Sequence, residues 1–237
     1  AEFVKAEINN IKSIPLGVGK KTLDVVSFNL ANKVVFPVVA QELFESVSFT
    51  EELCAVVSQC TETIVIDAEQ VLKDNVGVKC IRDDFEVFVQ NLFADMANRN
   101  NTYKDSKMNA ASLKNFPEQV YVIVGLKRFS EQLTADGKEK LGLIFEKGEP
   151  FYKLHFIIAD TLSQFTTFSY DAWYKRQITG MDGLWIGDGI ADQYMLKINK
   201  ITNELYQEIG NDFGYLLNRN RPTLIKTLSS RINGEDE

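Results

Sequence analysis

The sequence predicts an α/β protein with a mostly parallel sheet covered by helices on both faces. Three observations carry this expectation. From Asp24 onward, short apolar runs bounded by turn residues alternate with segments of helical period. Several of the runs are continuously apolar, as in strands buried on both sides. The 237 residues suffice for one large domain with a sizeable core and are few for two.

The elements follow in order. Asp24–Leu30 reads as a strand with alternating faces, and Lys33–Val39 as a continuous apolar strand. Ser48-Phe49-Thr50-Glu51 is a capping-box pattern and predicts a helix from there to about Gln59. Thr63–Ile66 reads as a buried strand ending at Asp67. Phe85, Phe88, Val89, Leu92, Phe93 and Met96 form one apolar stripe on a helix that Asp83 or Asp84 is placed to cap. Arg99–Asn115 is polar and rich in Asn, which predicts a surface loop, the kind of segment where substrate choice resides. Val120–Val124 suits a central parallel strand, Asp136–Lys147 a helix and Leu154–Ala159 another buried strand. Leu162–Lys175 reads as partly helical around Trp173, and Gly183–Ile186 as a short strand. Phe213–Leu217 and Thr223–Leu228 resemble a closing pair of strands joined by Asn218–Pro222. The expected organisation is a tag remnant or linker over 1–13, a single domain over 14–229 and a disordered acidic tail over 230–237. The opening Ala1-Glu2-Phe3, without Met, suits a piece of a longer protein.

Bulk chemistry narrows the function. Hydrophobic residues at 45% and charged residues at 25% are ordinary for a soluble domain. No apolar run approaches the roughly 20 residues of a membrane helix, and no leader peptide is visible. A net charge of −7 opposes a nucleic-acid partner, because Lys20-Lys21 and Arg219/Arg221 are short clusters rather than a basic stripe. Cys54, Cys60 and Cys80 contain no C-x-x-C pair, and His155 is the single histidine, so no metal site is expected. Reduced thiols in a cytosolic protein are the simpler reading.

The chemistry-bearing motifs fail one by one. Leu16-Gly-Val-Gly-Lys-Lys-Thr22 looks like a phosphate loop, but Lys21 follows Gly19-Lys20, and Ile14 stands where the first Gly belongs. The segment also precedes a strand instead of opening a helix, so a turn into that strand is the better account. A phosphate loop belongs after the strand Lys33–Val39. There Pro37-Val-Val-Ala-Gln-Glu-Leu-Phe44 offers no Gly and no Lys-Ser/Thr pair, which marks Pro37 and Gln41 as degenerate nucleotide-site positions. The strand Tyr121-Val-Ile-Val124 ends in Gly125 where nucleotide hydrolases carry an Asp, and no carboxylate follows through Arg128. His155 lies within an apolar strand and reads as hydrogen-bonded core, not as a general base. Asp67 and Glu69 at a strand end suit a cap or turn better than catalysis. Asp188 and Asp192 lie in a Gly-rich turn, either an ordinary one or a contact edge for a neighbouring domain. No catalytic residue, cofactor or metal is assigned, and ATP/Mg binding is doubtful. Phe165, Phe168, Trp173 and Trp185 suit either a groove for a helical signal or, more simply, core.

Several of these segments together resemble a known family. Ile14-Pro-Leu-Gly17 with Lys21-Thr-Leu-Asp-Val25 resembles the stretch that leads into FtsK/SpoIIIE-type ATPase domains. Gln119–Leu126 looks like that family's second nucleotide motif with its Asp replaced by Gly125, and Phe213–Leu217 with Arg221–Ile225 resembles its closing hairpin. Tyr170–Lys175 with Gly183–Ile190 is similar to the last ATPase-like domain of the EssC family, the membrane-anchored coupling proteins of type VII secretion in Firmicutes. The resemblance covers about Ile14 to Leu228. It implies a RecA-like (P-loop NTPase) fold with a degenerate nucleotide site, in a cytoplasmic domain of a bacterial plasma-membrane protein. The membrane would be reached only through the rest of the parent chain. The implied partners are WXG-motif secretion substrates and neighbouring ATPase domains, in a recognition or regulatory role without ATP hydrolysis. A weakly active ATPase domain and a structural end cap for motor oligomerisation are the alternatives.

Overall fold

The computed structural model describes residues 10–74, 78–178 and 182–228. Residues 1–9 of the linker expected over 1–13, and the acidic tail expected over 230–237, lie outside the described residues. Among the described residues ten strands form one sheet in the order β2-β1-β10-β9-β8-β3-β7-β6-β4-β5. These strands are β1 (Ile14–Gly19), β2 (Val25–Phe28), β3 (Val35–Ala40), β4 (Glu62–Asp67), β5 (Lys79–Ile81), β6 (Gln119–Val124), β7 (Leu154–Thr161), β8 (Gly183–Ile186), β9 (Phe213–Asn218) and β10 (Arg221–Thr227). The block β8-β3-β7-β6-β4-β5 is parallel, while β9, β10, β1 and β2 extend it antiparallel.

The helices are α1 (Leu43–Val57), α2 (Phe85–Asp105), α3 (Leu126–Glu131), α4 (Ala135–Lys147), α5 (Leu162–Thr166) and α6 (Ala172–Gln177). Alternation along the strands splits the core between the two faces. Phe36, Val38, Val122 and Ile157 pack with Phe49, Leu53 and Val57 of α1. Their neighbours Val35, Val39, Ile123 and Ile158 pack on the other face with Val89 and Leu92 of α2 and Ile144 of α4. Strands buried on both faces need apolar residues at every position, which explains the continuous runs. Phe165, Trp173 and Trp185 are buried in this core, and Phe168 packs against it.

The look-alike segment at Gly19-Lys20 is the turn of the β1–β2 hairpin, and the leading stretch is itself the strand β1. The closing hairpin turns tightly on Arg219 and Asn220, both with positive φ, as a two-residue hairpin loop demands.

Three expectations are corrected. Helix α1 starts at Leu43, not at Ser48, because its N-terminal box is built by Glu42 and Glu45, and Glu is not among the preferred N-cap residues. Neither Asp83 nor Asp84 caps α2 with its side chain; Asp84 is the N-cap residue in a left-handed conformation. Arg99–Asn115 is not a loop: α2 runs on to Asp105, and Ala110–Asn115 forms a 3-10 turn. Arg99 is 1% exposed, and its guanidinium donates to the carbonyls of Pro117 and Tyr152 and to the side chains of Asp95 and Gln119.

Candidate functional site: the carboxyl ends of the parallel strands

Open parallel sheets bind ligands beyond the carboxyl ends of their strands. Here β3, β4, β6, β7 and β8 end together at Ala40, Asp67, Val124, Thr161 and Ile186.

Only Gln41 and Glu42 separate β3 from α1. A phosphate loop places six residues or so between strand and helix, so that backbone amides encircle a phosphate. The chain turns directly into the helix and leaves no loop. Helix α1 then meets carboxylates at its positive end: the Glu42 amide donates to Glu45 Oε2 at 3.0 Å. Gln41 extends toward Gly189, and Glu45 toward Gly187, in the segment that follows β8. Pro37 lies inside β3, three residues before the strand end, and is therefore not at the site. It is tolerated there because the ladder to β8 begins only at Val38, and its ring packs against Gly183.

Gly125 stands at the end of β6 with φ 75° and ψ 61° and is the N-cap residue of α3. A Cβ at this position would lie 2.4 Å from Cγ of Glu69. The position expected to carry a metal-orienting Asp therefore has neither a backbone conformation suited to a side chain nor the space for one. Arg128 donates to the carbonyl of Ala68 and lies 3.9 Å from Glu69, so it closes over the same spot.

The carboxylates at this edge are engaged locally. Asp67 is fully buried, accepts from the amides of Val71 and Leu72 at 3.1 Å, and pairs with Arg82. It organises the chain between β4 and β5, as the turn-or-cap reading of the sequence had it. Asp188 Oδ1 accepts from the amides of Ile209 and Gly210, and the carbonyl of Asp188 accepts from Trp185 Nε1. Asp192 is exposed, and its amide donates to Gly189.

The sequence reading missed Asp160. It lies on β7 in register with Val39 of β3, and its side chain is 2% exposed. Burial pushes its carboxyl up to about 6, against the opposing pull of the amides of Thr161 (2.8 Å) and Lys127 (3.3 Å). The nearby Glu69 adds to the upward shift. The signal was Ala159-Asp160-Thr161, a charged residue directly at the end of an apolar run. Among the described residues no group of three His, Cys, Asp or Glu is arranged to hold a metal ion. Burial also pushes the Cys54 thiol up to about 12, the behaviour of an inert core thiol.

His155 lies at the opposite edge of the sheet. Both ring nitrogens meet acceptors, the Lys33 carbonyl at 2.6 Å and Glu118 Oε1 at 2.8 Å. The ring is thus held between a backbone carbonyl and a carboxylate, a buried and hydrogen-bonded core position. Among the described residues no helix is long and apolar enough to cross a membrane.

Parallel strands in the order β8-β3-β7-β6-β4, with a helix leaving β3, define a P-loop ATPase fold of the RecA-like type. Solved structures that match include ATPase domains of the type VII secretion proteins EssC and EccC. The cytoplasmic domain of EssC superposes with a TM-score of 0.69 at 16% identity, covering 95% of this chain and 45% of that one. EssC ATPases 2 and 3 from Geobacillus thermodenitrificans give 0.67 at 15% identity, covering 94% and 42%. EccC ATPases 2 and 3 of Thermomonospora curvata, in complex with a signal sequence peptide, give 0.65 at 16% identity, covering 95% and 42%. The chain thus spans less than half the length of these three structures. No family model and no curated sequence matches it.

Proposed function

We propose that this domain is a catalytically silent member of a type VII secretion motor, acting in recognition of export substrates or in regulation of neighbouring ATPase domains. The observation that carries the reading is the two-residue passage from β3 to α1, with Glu42 and Glu45 at the helix start. A triphosphate there would meet carboxylates in place of an amide cradle. The Gly125 conformation and its contact with Glu69 support the same reading from the other half of the phosphoryl-transfer apparatus.

Substrate engagement is proposed by analogy with the EccC structure, which holds a signal sequence peptide. The implied substrates are small helical proteins of the WXG type, and the implied neighbours are ATPase domains in the same chain. Fluorescence anisotropy with labelled export-signal peptides tests this role. Saturable micromolar binding that is indifferent to Mg-ATP supports recognition. No binding to any signal peptide, together with no effect of the domain on hydrolysis by the adjoining ATPase domain, refutes both roles.

A further inference from the structure

A cavity of about 410 Å³ opens at the amino edge of the parallel strands, away from the degenerate nucleotide site. It lies where β1, β3 and β8 begin and where β2 and β9 end. We infer that this cavity is a binding site for a small phosphorylated sugar.

The floor is apolar. Phe28, 6% exposed, stacks on the fully buried Phe36 with ring centroids 4.0 Å apart, beside the buried Leu216 and Leu217. The wall is polar and neutral: Ser13, Ser27, Asn29, Asn32 and Asn218 line it. None of these five side chains makes a hydrogen bond to another described residue. Each carries both donor and acceptor capacity, the requirement for reading hydroxyl groups. A few convergent polar groups over an apolar floor, in a volume of this size, are the usual make-up of a small-molecule site.

The rim supplies charge of the opposite sign to the domain as a whole. Asp182 is the acidic lining residue, and its own chain occupies both oxygens: Lys33 Nζ at 2.8 Å and the Arg219 amide at 2.8 Å. The Lys12 ammonium and the Arg219 guanidinium have no ion-pair partner among the described residues. Glu118, the acid that Lys12 influences, is committed to His155. The backbone of Arg219 is held in its turn, because Asn199 bonds the carbonyls of Arg219 and Asn220, while the side chain is exposed. A second cavity of about 490 Å³ adjoins at Asn218 and Arg219 and adds Arg221. Two uncommitted cations on a protein of net charge −7 mark the place where an anionic group is best received.

Calorimetric titration with ribose 5-phosphate, ribose and inorganic phosphate tests the inference. Ribose 5-phosphate is expected to bind with a Kd below about 1 mM, and ribose and phosphate at least about tenfold more weakly. The exposed pair Lys12→Gln and Arg219→Asn should weaken ribose 5-phosphate by about tenfold or more, with an unchanged melting temperature. Asn suits the left-handed position of Arg219 and keeps the backbone bond to Asp182. Asn29→Ala should weaken ribose 5-phosphate and leave inorganic phosphate unchanged. No binding up to about 10 mM overturns the inference, as does binding unaffected by the double variant. Equal binding of inorganic phosphate alone overturns the assignment to a sugar.

Discussion

Replacing Gly125 by Asp restores on paper the carboxylate of a nucleotide hydrolase, and the structure predicts that it destabilises the domain without giving it hydrolysis. The backbone at Gly125 is left-handed, with φ 75°. Placing an L side chain there costs about 1–2 kcal/mol. The new Cβ would lie 2.4 Å from Cγ of Glu69 and 3.0 Å from its Oε1, so Glu69 must swing away and leave Arg128. The added carboxylate would then crowd Glu69 and the buried Asp160, like charges that repel it. The total is about 2–4 kcal/mol, which for a domain of this size lowers the melting temperature by roughly 5–15 °C. Thermal unfolding at pH 7 followed by circular dichroism measures it, with phosphate release from Mg-ATP recorded on the same sample. Adding Glu69→Ala should recover the part due to the clash and leave the backbone strain. A melting temperature within about 1 °C of the parent, or the appearance of hydrolysis, would refute the reasoning.

Other perturbations follow from the same structure. Asp160 has a raised carboxyl, so the stability it contributes is complete below its ordinary value of 3.8 and is lost as pH rises through about 6. Asp160→Asn should remove that dependence, changing the stability difference from the parent by about 3 kcal/mol between pH 3 and 7 in urea titrations. Glu118 is held below its ordinary 4.5, chiefly by the hydrogen bond from His155, so its contribution is present above 4.5 and lost as pH falls below it. Glu118→Gln should flatten the acid limb of a melting-temperature profile and leave the neutral plateau lower. Arg99→Met leaves the carbonyls of Pro117 and Tyr152 without their donor and should cost about 3 kcal/mol by urea denaturation, whereas substitution of the exposed Lys107 should cost next to nothing.

Most of the parallel block could be read from residues alone, because a strand buried on both faces shows itself as an uninterrupted apolar run. Val120–Val124 and Leu154–Ala159 are the clearest cases. The failures lie where polar residues serve buried backbone. Arg99 sits in an Asn-rich stretch that looks solvated, yet carbonyls from two distant segments bury it, and their approach is a tertiary fact. Glu42 and Glu45 start a helix without a preferred capping residue, so the pattern at Ser48 drew the boundary too late. At the nucleotide edge, the missing Gly, Lys and Asp were legible as absences. The physical reason, a strand passing into a helix with no loop, was not, because the helix start had been placed at Ser48 instead of Leu43, which left room for a loop after the strand. Asp160 was hidden for a similar reason: its strand runs through it to Thr161.

Isothermal titration of the domain with Mg-ATP, with phosphate release followed on the same sample, tests the central claim most directly. The account predicts no heat of binding up to about 1 mM nucleotide and no release above the buffer rate. Micromolar binding or measurable turnover would contradict it, and the edge formed by Gln41, Glu45, Gly125 and Asp160 would then have to be counted as a working nucleotide site.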